Sequence, residues 1–206
     1  MVSKTKVEYC LQKKDFDYLL TLARKDKRVV RHIFRYLYSV DELVRKRAIE
    51  ALGLVSSVIA ERDTWSVRNI LRQLLWSVTE ESGGIGWSAP EAMAEIVKKC
   101  PEEFYDYGSI AVSYLDEELL RRSCLWAAGT LGELRPEFIK HVLPGIIKLL
   151  DYNDPTVRGY AARALLAVNT AGERLHHFKN DNAPVQVYED GELRLRTVAE
   201  LAGHIN

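Results

Sequence analysis

The sequence predicts an all-α fold: a right-handed α-solenoid of stacked helical pairs that ends in a small β-hairpin. The first observation is a recurring phrase, Asp-x-x-Val-Arg followed by Ala-x-x-Ala-Leu, at residues 41–52 and 154–165, with a degenerate copy at 117–128. The second is the recurrence of apolar residues at helical spacings of three and four, from about residue 7 to residue 168. The third is a change to alternating apolar and polar residues after residue 184. Self-similarity at a period of about 20–50 residues is typical of repeat architectures.

The spacing of the phrases agrees with helical pairs. Their arginines, Arg45, Arg121 and Arg158, are 76 and 37 positions apart, close to two periods and one. A single pair cannot bury its own apolar face, so stacked pairs would share one continuous core. The predicted pairs are 27–38 with 41–60, 64–79 with 88–99, 104–114 with 117–132, and 137–150 with 154–169, preceded by one or two capping helices within residues 4–24.

Local signals mark the ends of the last helices. Asp154 is a favourable N-cap, and Pro155 follows at the first helical position, where a missing N–H costs nothing. Pro144 falls inside the apolar pattern of residues 139–150 and predicts a kink or a break there. Residues 149–167 are therefore expected to form the corner of a helical hairpin.

The chain changes character after the last repeat. Residues 170–184 are polar, and the segments 185–188 and 193–196 alternate on either side of Asp190-Gly191. Asp-Gly between two alternating segments predicts a β-hairpin with a tight turn. A short helix is expected from about Val198.

This change sets the predicted domain organisation. Residues 1–169 form the helical repeat domain, and residues 170–206 form a hairpin and short helix that pack as a C-terminal cap. Terminal repeats need a polar outer surface, which a cap provides. The alternative is an exposed edge strand that pairs with a partner.

The repeated phrase resembles the HEAT repeat, and more narrowly the short HEAT-like repeat first associated with phycobilin lyases. The resemblance covers residues 27–169. It implies that the polar residues of the phrase cross-link adjacent turns and are structural; these residues are Asp41, Asp154, Arg45, Arg121 and Arg158. The whole chain also resembles small HEAT-like proteins of bacteria that have no assigned role.

Composition narrows the function classes. The 29 basic and 29 acidic side chains cancel, so the chain lacks the strong positive field that many nucleic-acid-binding proteins carry. The charges are unevenly placed, however: residues 1–50 hold 13 basic and 7 acidic residues, and residues 80–118 hold 2 and 10. Such a distribution either leaves solvated helix faces or gives a dipolar surface that steers a charged partner.

The cysteines and the apolar runs point to a soluble cytoplasmic protein. Cys10, Cys100 and Cys124 lack C-x-x-C spacing, which argues against a disulfide framework and against a thiolate zinc site. The N-terminus lacks the apolar segment of a signal peptide, and no apolar run reaches the roughly 18 residues of a membrane span. We expect no membrane association, and we expect neither a cofactor nor a metal.

The second helical pair contains an irregular loop, residues 80–91, which we predict to be the binding site. Three glycines within four residues imply positive φ angles or a close backbone approach, and Trp87 adds a large amphipathic surface. Ser88-Ala-Pro-Glu91 is expected to form a capping box. The candidate contact residues are Glu80, Glu81, Ser82, Gly83, Gly84, Gly86, Trp87, Glu91 and Glu95.

The charges around this loop set the class of ligand. A helix start beside glycines is a possible anion cradle, but the carboxylates of Glu80, Glu81, Glu91 and Glu95 would repel a phosphate. A cation, an amine or a basic peptide fits better. The alternative for the loop is a merely structural long turn, and the alternative for Glu91 and Glu95 is a solvated or capping pair.

Two enzyme classes built from HEAT-like repeats must be weighed. The His-Glu motifs of the di-iron hydroxylase type are missing, because none of the five histidines forms a His-Glu pair. Alkylpurine DNA glycosylases hold DNA in a cationic groove, and this chain offers one basic stretch, residues 24–35, together with the aromatic residues Trp65, Trp76, Trp87 and Trp126. That stretch is more often a solvated helix face, and no catalytic carboxylate can be aligned.

The function predicted from the sequence is therefore a non-catalytic protein-interaction or scaffold module. Its partner is a protein or a peptide, held on a concave ridge of second helices such as 88–99 and 117–132, with the glycine-rich loop as the specific contact. The nucleic-acid enzyme of the glycosylase type and a lyase-like accessory protein remain the alternatives, and the oligomeric state is open.

Overall fold

The computed structural model describes residues 2–79, 86–170 and 172–204, and these form helices and one two-stranded sheet. The chain divides into two compact units, Met1–Tyr107 and Gly108–Asn206. The all-α fold with a C-terminal hairpin is the one that the sequence predicts.

The first unit consists of consecutive helices whose ends agree with the predicted ones to within a few residues. Asp41 caps its helix as the sequence pattern requires, because its carboxylate accepts a hydrogen bond from the Val44 N–H at 3.1 Å. The helices are α1 (Lys4–Lys13), α2 (Phe16–Lys25), α3 (Val29–Tyr36), α4 (Glu42–Ala60), α5 (Thr64–Thr79) and α6 (Ala89–Lys99), and α7 (Tyr105–Val112) spans the division between the units.

The centre of the first unit is α4, which packs against α1, α2, α3, α5 and α6. Its buried face carries small residues, among them Ala48 and Ala51, which let neighbouring helices approach closely. The closest approach is at Gly53, where an added Cβ would lie 2.8 Å from the backbone carbonyl oxygen of Glu95 in α6. A backbone atom cannot move aside without shifting its helix.

Gly53→Ala is therefore expected to lower the free energy of unfolding by about 1–3 kcal/mol, the usual cost of overpacking. Alanine normally stabilises a helix interior relative to glycine by about 0.5–1 kcal/mol, so the sign of the effect is diagnostic. Urea unfolding measures it. The control is Gly145→Ala, whose Cβ would meet only the Leu115 Cδ2 methyl at 3.1 Å. Equal stabilisation by both changes would contradict the close approach.

The second unit begins with the rest of α7 and continues through shorter elements. They are α8 (Arg121–Leu134), a 3-10 turn (Pro136–Phe138), α9 (Leu143–Lys148), a second 3-10 turn (Leu149–Asp151), α10 (Pro155–Ala167), a 3-10 segment (Gly172–Asn180), β1 (Pro184–Glu189), β2 (Glu192–Thr197) and α11 (Val198–Leu201). The helix predicted at 137–150 is thus broken. Pro144 explains the break, because it lies in the first turn of α9, where its missing N–H costs nothing.

The packing of α8 on α10 centres on one arginine. The Arg163 guanidinium lies over the Trp126 ring, 4.2 Å from its centroid, and donates to the Trp126 carbonyl at 3.1 Å. Gly129 leaves room for this side chain, since an added Cβ there would overlap the Arg163 Nη1. Tyr160 packs on the same Trp126 ring with 5.0 Å between centroids.

The C-terminal hairpin follows the predicted register and packs on α10. Asp190 and Gly191 both have positive φ, 51° and 79°, as the tight turn between paired Glu189 and Glu192 requires. Val187 on β1 is buried. The predicted domain boundary at residue 169 stays a prediction.

The arginines of the repeated phrase serve different roles from copy to copy. Arg158 reaches out of α10 to Asp181 at 2.7 Å, and this hydrogen bond holds the pKa of the Asp181 carboxyl below its usual range. Arg121 donates to the Tyr152 hydroxyl at 3.1 Å. Arg45 instead donates to the Ser39 carbonyl at 2.7 Å, just before its own helix.

The expectation that all five polar residues of the phrase cross-link adjacent turns is therefore wrong for the first copy. Asp41 and Arg45 fix only the start of α4 within the described chain. In the last copy Asp154 accepts from Arg122 Nε at 2.9 Å rather than from Arg121. In the degenerate copy it is therefore Arg122, next to Arg121, that forms the ion pair with Asp154.

Candidate functional site

The predicted loop site is only partly described. Gly86, Trp87, Glu91 and Glu95 belong to the described residues. The other candidate contacts lie outside them; these are Glu80, Glu81, Ser82, Gly83 and Gly84.

The described end of the loop is a turn, Gly86–Ser88, that joins the C-terminal ends of α3 and α5. The Gly86 N–H donates to the Ser77 carbonyl of α5 at 3.0 Å. A Cβ at Gly86 would overlap the Ser77 Oγ, so this glycine is needed for a close approach. The Ser88 hydroxyl donates to the Leu37 carbonyl at 3.0 Å, just after α3. Trp87 lies between these two anchors and is 58% exposed.

The capping box predicted for Ser88 and Glu91 is not formed. Ser88 precedes α6 but makes no side-chain cap hydrogen bond, because its hydroxyl is bound to Leu37. Glu91 instead forms an ion pair with Lys46 of α4, with 2.6 Å between the Lys46 Nζ and the Glu91 Oε2. Both residues are buried.

Glu91 and Glu95 are therefore not the solvated or capping pair that was considered. Glu91 fixes α6 on α4, and its burial leaves the carboxylate no access to a partner. Glu95 is half-buried and pairs with Lys98 at 3.4 Å, and burial raises the pKa of its carboxyl. Neither residue contributes an open anionic surface to the turn.

The ridge of second helices predicted as the partner surface is mostly buried. In α6 eight of the eleven residues are buried, and in α8 nine of the fourteen are. Small residues such as Ala92 and Ala128 pack into the core on these faces. Little of either helix is left for a partner.

The open surface of the first unit is a groove of about 770 Å³ between α3 and α5. Its floor is apolar, and aromatic and cationic side chains form its rims. From α3 and its flanking residues it is lined by Lys27, Arg28, Val30, Arg31, Phe34, Arg35 and Tyr38, and from α4 and α5 by Ile59, Ser66, Ile70, Gln73, Trp76 and Ser77. We refer to this surface as the α3–α5 groove.

The α3–α5 groove is positively charged. Among the described residues that line it, four are cations and none is a carboxylic acid. Two of the cations are paired with residues outside the lining: Arg28 with Asp26 at 2.8 Å, and Lys27 with Asp63 at 2.9 Å. Arg31 and Arg35 are exposed and have no ion-pair partner within the described part of the chain.

Both ends of the groove are fixed by hydrogen bonds. At the N-terminal ends of α3 and α5, Lys27 bridges Asp63 and the Ser66 hydroxyl, each at 2.9 Å. The hydrogen bonds from Ser66 and Lys27 hold the pKa of the Asp63 carboxyl well below its usual range, so the bridge keeps its charge at neutral pH. At the other end lies the Gly86–Ser88 turn. The turn adjoins the groove through Ser77, which lines the groove and accepts the hydrogen bond from Gly86.

Sequence reasoning found the parts of this surface but not the groove. The basic stretch 24–35 was interpreted as a solvated helix face or a phosphate track, and Trp76 was noted only as an aromatic residue. What brings them together is the gap between α3 and α5, a tertiary property. The available signal was the placement of Arg31 and Arg35 next to the apolar Val30 and Phe34.

Comparison with known proteins identifies the repeat. Residues 118–165 match the family model of the HEAT-like repeat. This chain therefore contains a HEAT-like repeat. It is 27% identical over 176 residues to an uncharacterized protein from Archaeoglobus fulgidus, a match that covers 82% of this chain and 91% of that protein. The relative is archaeal, whereas the resemblance drawn from the sequence was to bacterial proteins.

Solved structures also match this chain. A crystal structure of an engineered protein aligns over 99% of this chain and 95% of its own, with a TM-score of 0.55 and 18% identity, and so shares the fold. The archaeal HEAT-like repeats protein from Thermococcus onnurineus NA1 aligns over 98% of this chain and 78% of its own, with a TM-score of 0.39 and 19% identity.

Two further observations concern membrane-spanning helices and metal sites in the described residues. Among the helices that the structure describes, none combines the length and the apolar character needed to cross a bilayer. Within residues 2–79, 86–170 and 172–204, no three histidine, cysteine or acidic side chains are grouped so that they could hold a metal ion.

Proposed function

We propose that this HEAT-like repeat protein is a non-catalytic interaction module that binds a segment of a protein partner in the α3–α5 groove. The observation that carries the proposal is the groove itself: about 770 Å³ of open space with an apolar floor and exposed aromatic and arginine side chains at its rims. Sites of this composition are typical of the centres of protein interfaces.

The lining of the groove favours binding over catalysis. The described lining contains no histidine, cysteine or carboxylic acid, the groups that most often act as a general base or activate a hydroxyl nucleophile. Its polar groups are cations, two hydroxyls of serine, a tyrosine and a glutamine. These groups orient a partner through hydrogen bonds and charge.

The energetic centre of the proposed interface is Trp76. This side chain is 69% exposed on α5. Tryptophan has a large apolar ring system, so its exposure leaves a large apolar area in contact with solvent. When a partner covers Trp76, Ile70 and Phe34, the burial of their apolar surface contributes hydrophobic free energy to binding. Trp87, on the turn at the end of the groove, extends the same surface, so a partner that fills the groove would also reach the loop predicted from the sequence.

Site-specific photocrosslinking tests this proposal. Gln73 lines the groove and is exposed, so Gln73→p-benzoylphenylalanine places a photoreactive group there. The control is the same replacement of Tyr9, which is 57% exposed on α1 and does not line the groove. A protein crosslinked through position 73 is then purified and titrated against the unmodified chain.

We expect a protein that crosslinks at position 73 but not at position 9 and that binds the unmodified chain in solution. A partner that crosslinks equally at both positions, or that binds without contact at position 73, would show that the groove is not the binding surface.

A further inference from the structure

We infer that the segment bound in the α3–α5 groove is acidic, with one large apolar side chain between or beside its carboxylates. This inference rests on the function proposed above and adds the chemistry of the partner. It reverses the polarity expected from the sequence, which favoured a cation or a basic peptide at the acidic loop.

The charges of the groove select the partner. Lys27 and Arg28 already have carboxylate partners from their own chain, so Arg31 and Arg35 carry the charge that is still available to a ligand. A guanidinium presents a planar fork of N–H donors that matches a carboxylate in two parallel hydrogen bonds. A basic segment would bring its cations against these two arginines, and the described lining holds no carboxylate to offset the repulsion.

The spacing of the two arginines sets the pattern of acids. Residues four apart on a helix are neighbours on one face, with about 5–6 Å between their Cβ atoms. Two carboxylates match this distance when they are about four residues apart on a helix, or when they are two residues apart on an extended strand, which rises about 3.3 Å per residue. The acidic pair is therefore expected to be closely spaced.

The floor of the groove supplies the apolar part of the motif. Val30 and Phe34 lie on α3 beside the two arginines, and Ile70 faces them from α5. The lining on α5 runs from Ser66 to Ser77, and a helix rises about 1.5 Å per residue, so the groove is about 17 Å long. About five residues of an extended chain fill that length, enough for one apolar anchor and two acids.

The positive surface continues past the N-terminal end of the groove. A smaller cavity of about 170 Å³ shares Lys27 and Ile59 with the groove and is lined in addition by Arg24, Lys25 and Arg62 and by the carboxylates of Asp26 and Asp63. Because these two carboxylates pair with Arg28 and Lys27, the other three cations supply the positive charge that a partner meets at this end. Its acidic character is expected to extend beyond the central motif.

Selection from a random peptide library tests this inference without presupposing a sequence. Twelve-residue peptides displayed on phage are selected on the purified full chain, and binders that also bind the Trp76→Ala variant are removed. The best sequence is synthesised with a fluorophore, and its affinity is measured by fluorescence anisotropy for the wild type, for the double variant Arg31→Gln/Arg35→Gln, and for Arg72→Gln. Arg72 is the matched control, because it is exposed on α5 and stacks on Trp65 instead of lining the groove.

We expect Asp and Glu to be enriched near an apolar residue, and the double variant to bind at least about tenfold more weakly, since charge pairs at an interface are worth more than exposed ones. Arg72→Gln should stay within about twofold. Raising the salt concentration should weaken binding to the wild type more steeply than binding to the double variant, which keeps only the cations at the N-terminal end of the groove. Circular dichroism confirms that the variants are folded.

The other outcomes are distinct. Peptides that depend on Trp76 but are neutral or basic would overturn the acidic motif and leave the proposed function standing. If no selected peptide depended on Trp76, both would fail. A twelve-nucleotide oligothymidine that binds more tightly than the best peptide, and loses affinity in the double variant, would make the groove a nucleic-acid site and overturn the acidic peptide.

Discussion

Lys46→Met is expected to lower the free energy of unfolding by about 3–5 kcal/mol, the usual effect of breaking a buried ion pair. The side chains of Lys46 and Glu91 are 10% and 9% exposed and are joined at 2.6 Å between α4 and α6. Methionine keeps the length of the lysine stem but leaves the Glu91 carboxylate buried without its cation. Chemical denaturation measures the change.

Two further variants separate the ion pair from packing. Lys98→Met removes a cation that is 46% exposed and pairs with Glu95 at 3.4 Å, so it should cost no more than about 1 kcal/mol. The double variant Lys46→Met/Glu91→Leu should recover most of the lost stability, because an apolar pair of similar volume avoids the buried charge. If the double variant were less stable than Lys46→Met, the uncompensated charge would not be the cause.

Trp76→Ala is expected to weaken the complex with the groove partner by at least about 30-fold, equivalent to about 2 kcal/mol. Tryptophan is the residue most often found at interface hot spots, and Trp76 is the most exposed tryptophan of the described chain. Because most effects of interface mutations lie in the dissociation rate, the loss should appear there. Surface plasmon resonance with the purified partner gives both rates.

Trp65→Ala is the matched control. Trp65 lies on the same helix and is 61% exposed, but it stacks against Arg72 and does not line the groove. Its removal should change the affinity by less than about threefold, as for most non-hot-spot positions. An equal loss for both tryptophans would indicate a general change in α5, and no loss at Trp76 would place the interface elsewhere.

Most of the fold could be predicted because its signals are local. Asp41 and Asp154 accept backbone hydrogen bonds at the helix starts where the repeated phrase places them. Asp190-Gly191 forms the predicted turn, since few residue pairs tolerate two successive positive φ angles. The broken helix around Pro144 followed from the chemistry of proline alone.

The predicted capping box failed because long-range partners overrode a local pattern. Ser88 and Glu91 have the spacing of a capping box, but each found a partner far along the chain, 51 residues away at Leu37 and 45 residues away at Lys46. Nothing in the four-residue pattern encodes these distances. Tertiary contacts are also what convert Glu91 from an expected surface acid into a buried one.

The groove was hidden from sequence reasoning for a related reason. A basic helix face and an exposed tryptophan are each ordinary when taken alone. They line one groove only because α3 and α5 are separated, with Ile59 of α4 between them. The Lys27 hydrogen bonds lie at one end of this groove, and the Gly86–Ser88 turn lies at the other. The loop was singled out from the sequence for its irregularity, and its described end does adjoin the groove.

Amide hydrogen exchange of the chain alone and saturated with its purified partner tests the central claim most directly. We expect the partner to slow exchange in residues 29–38 and 66–77, the two walls of the α3–α5 groove, and to leave α8 unchanged. Slower exchange confined to α8 and α10, with both groove walls exchanging as in the free chain, would contradict the account.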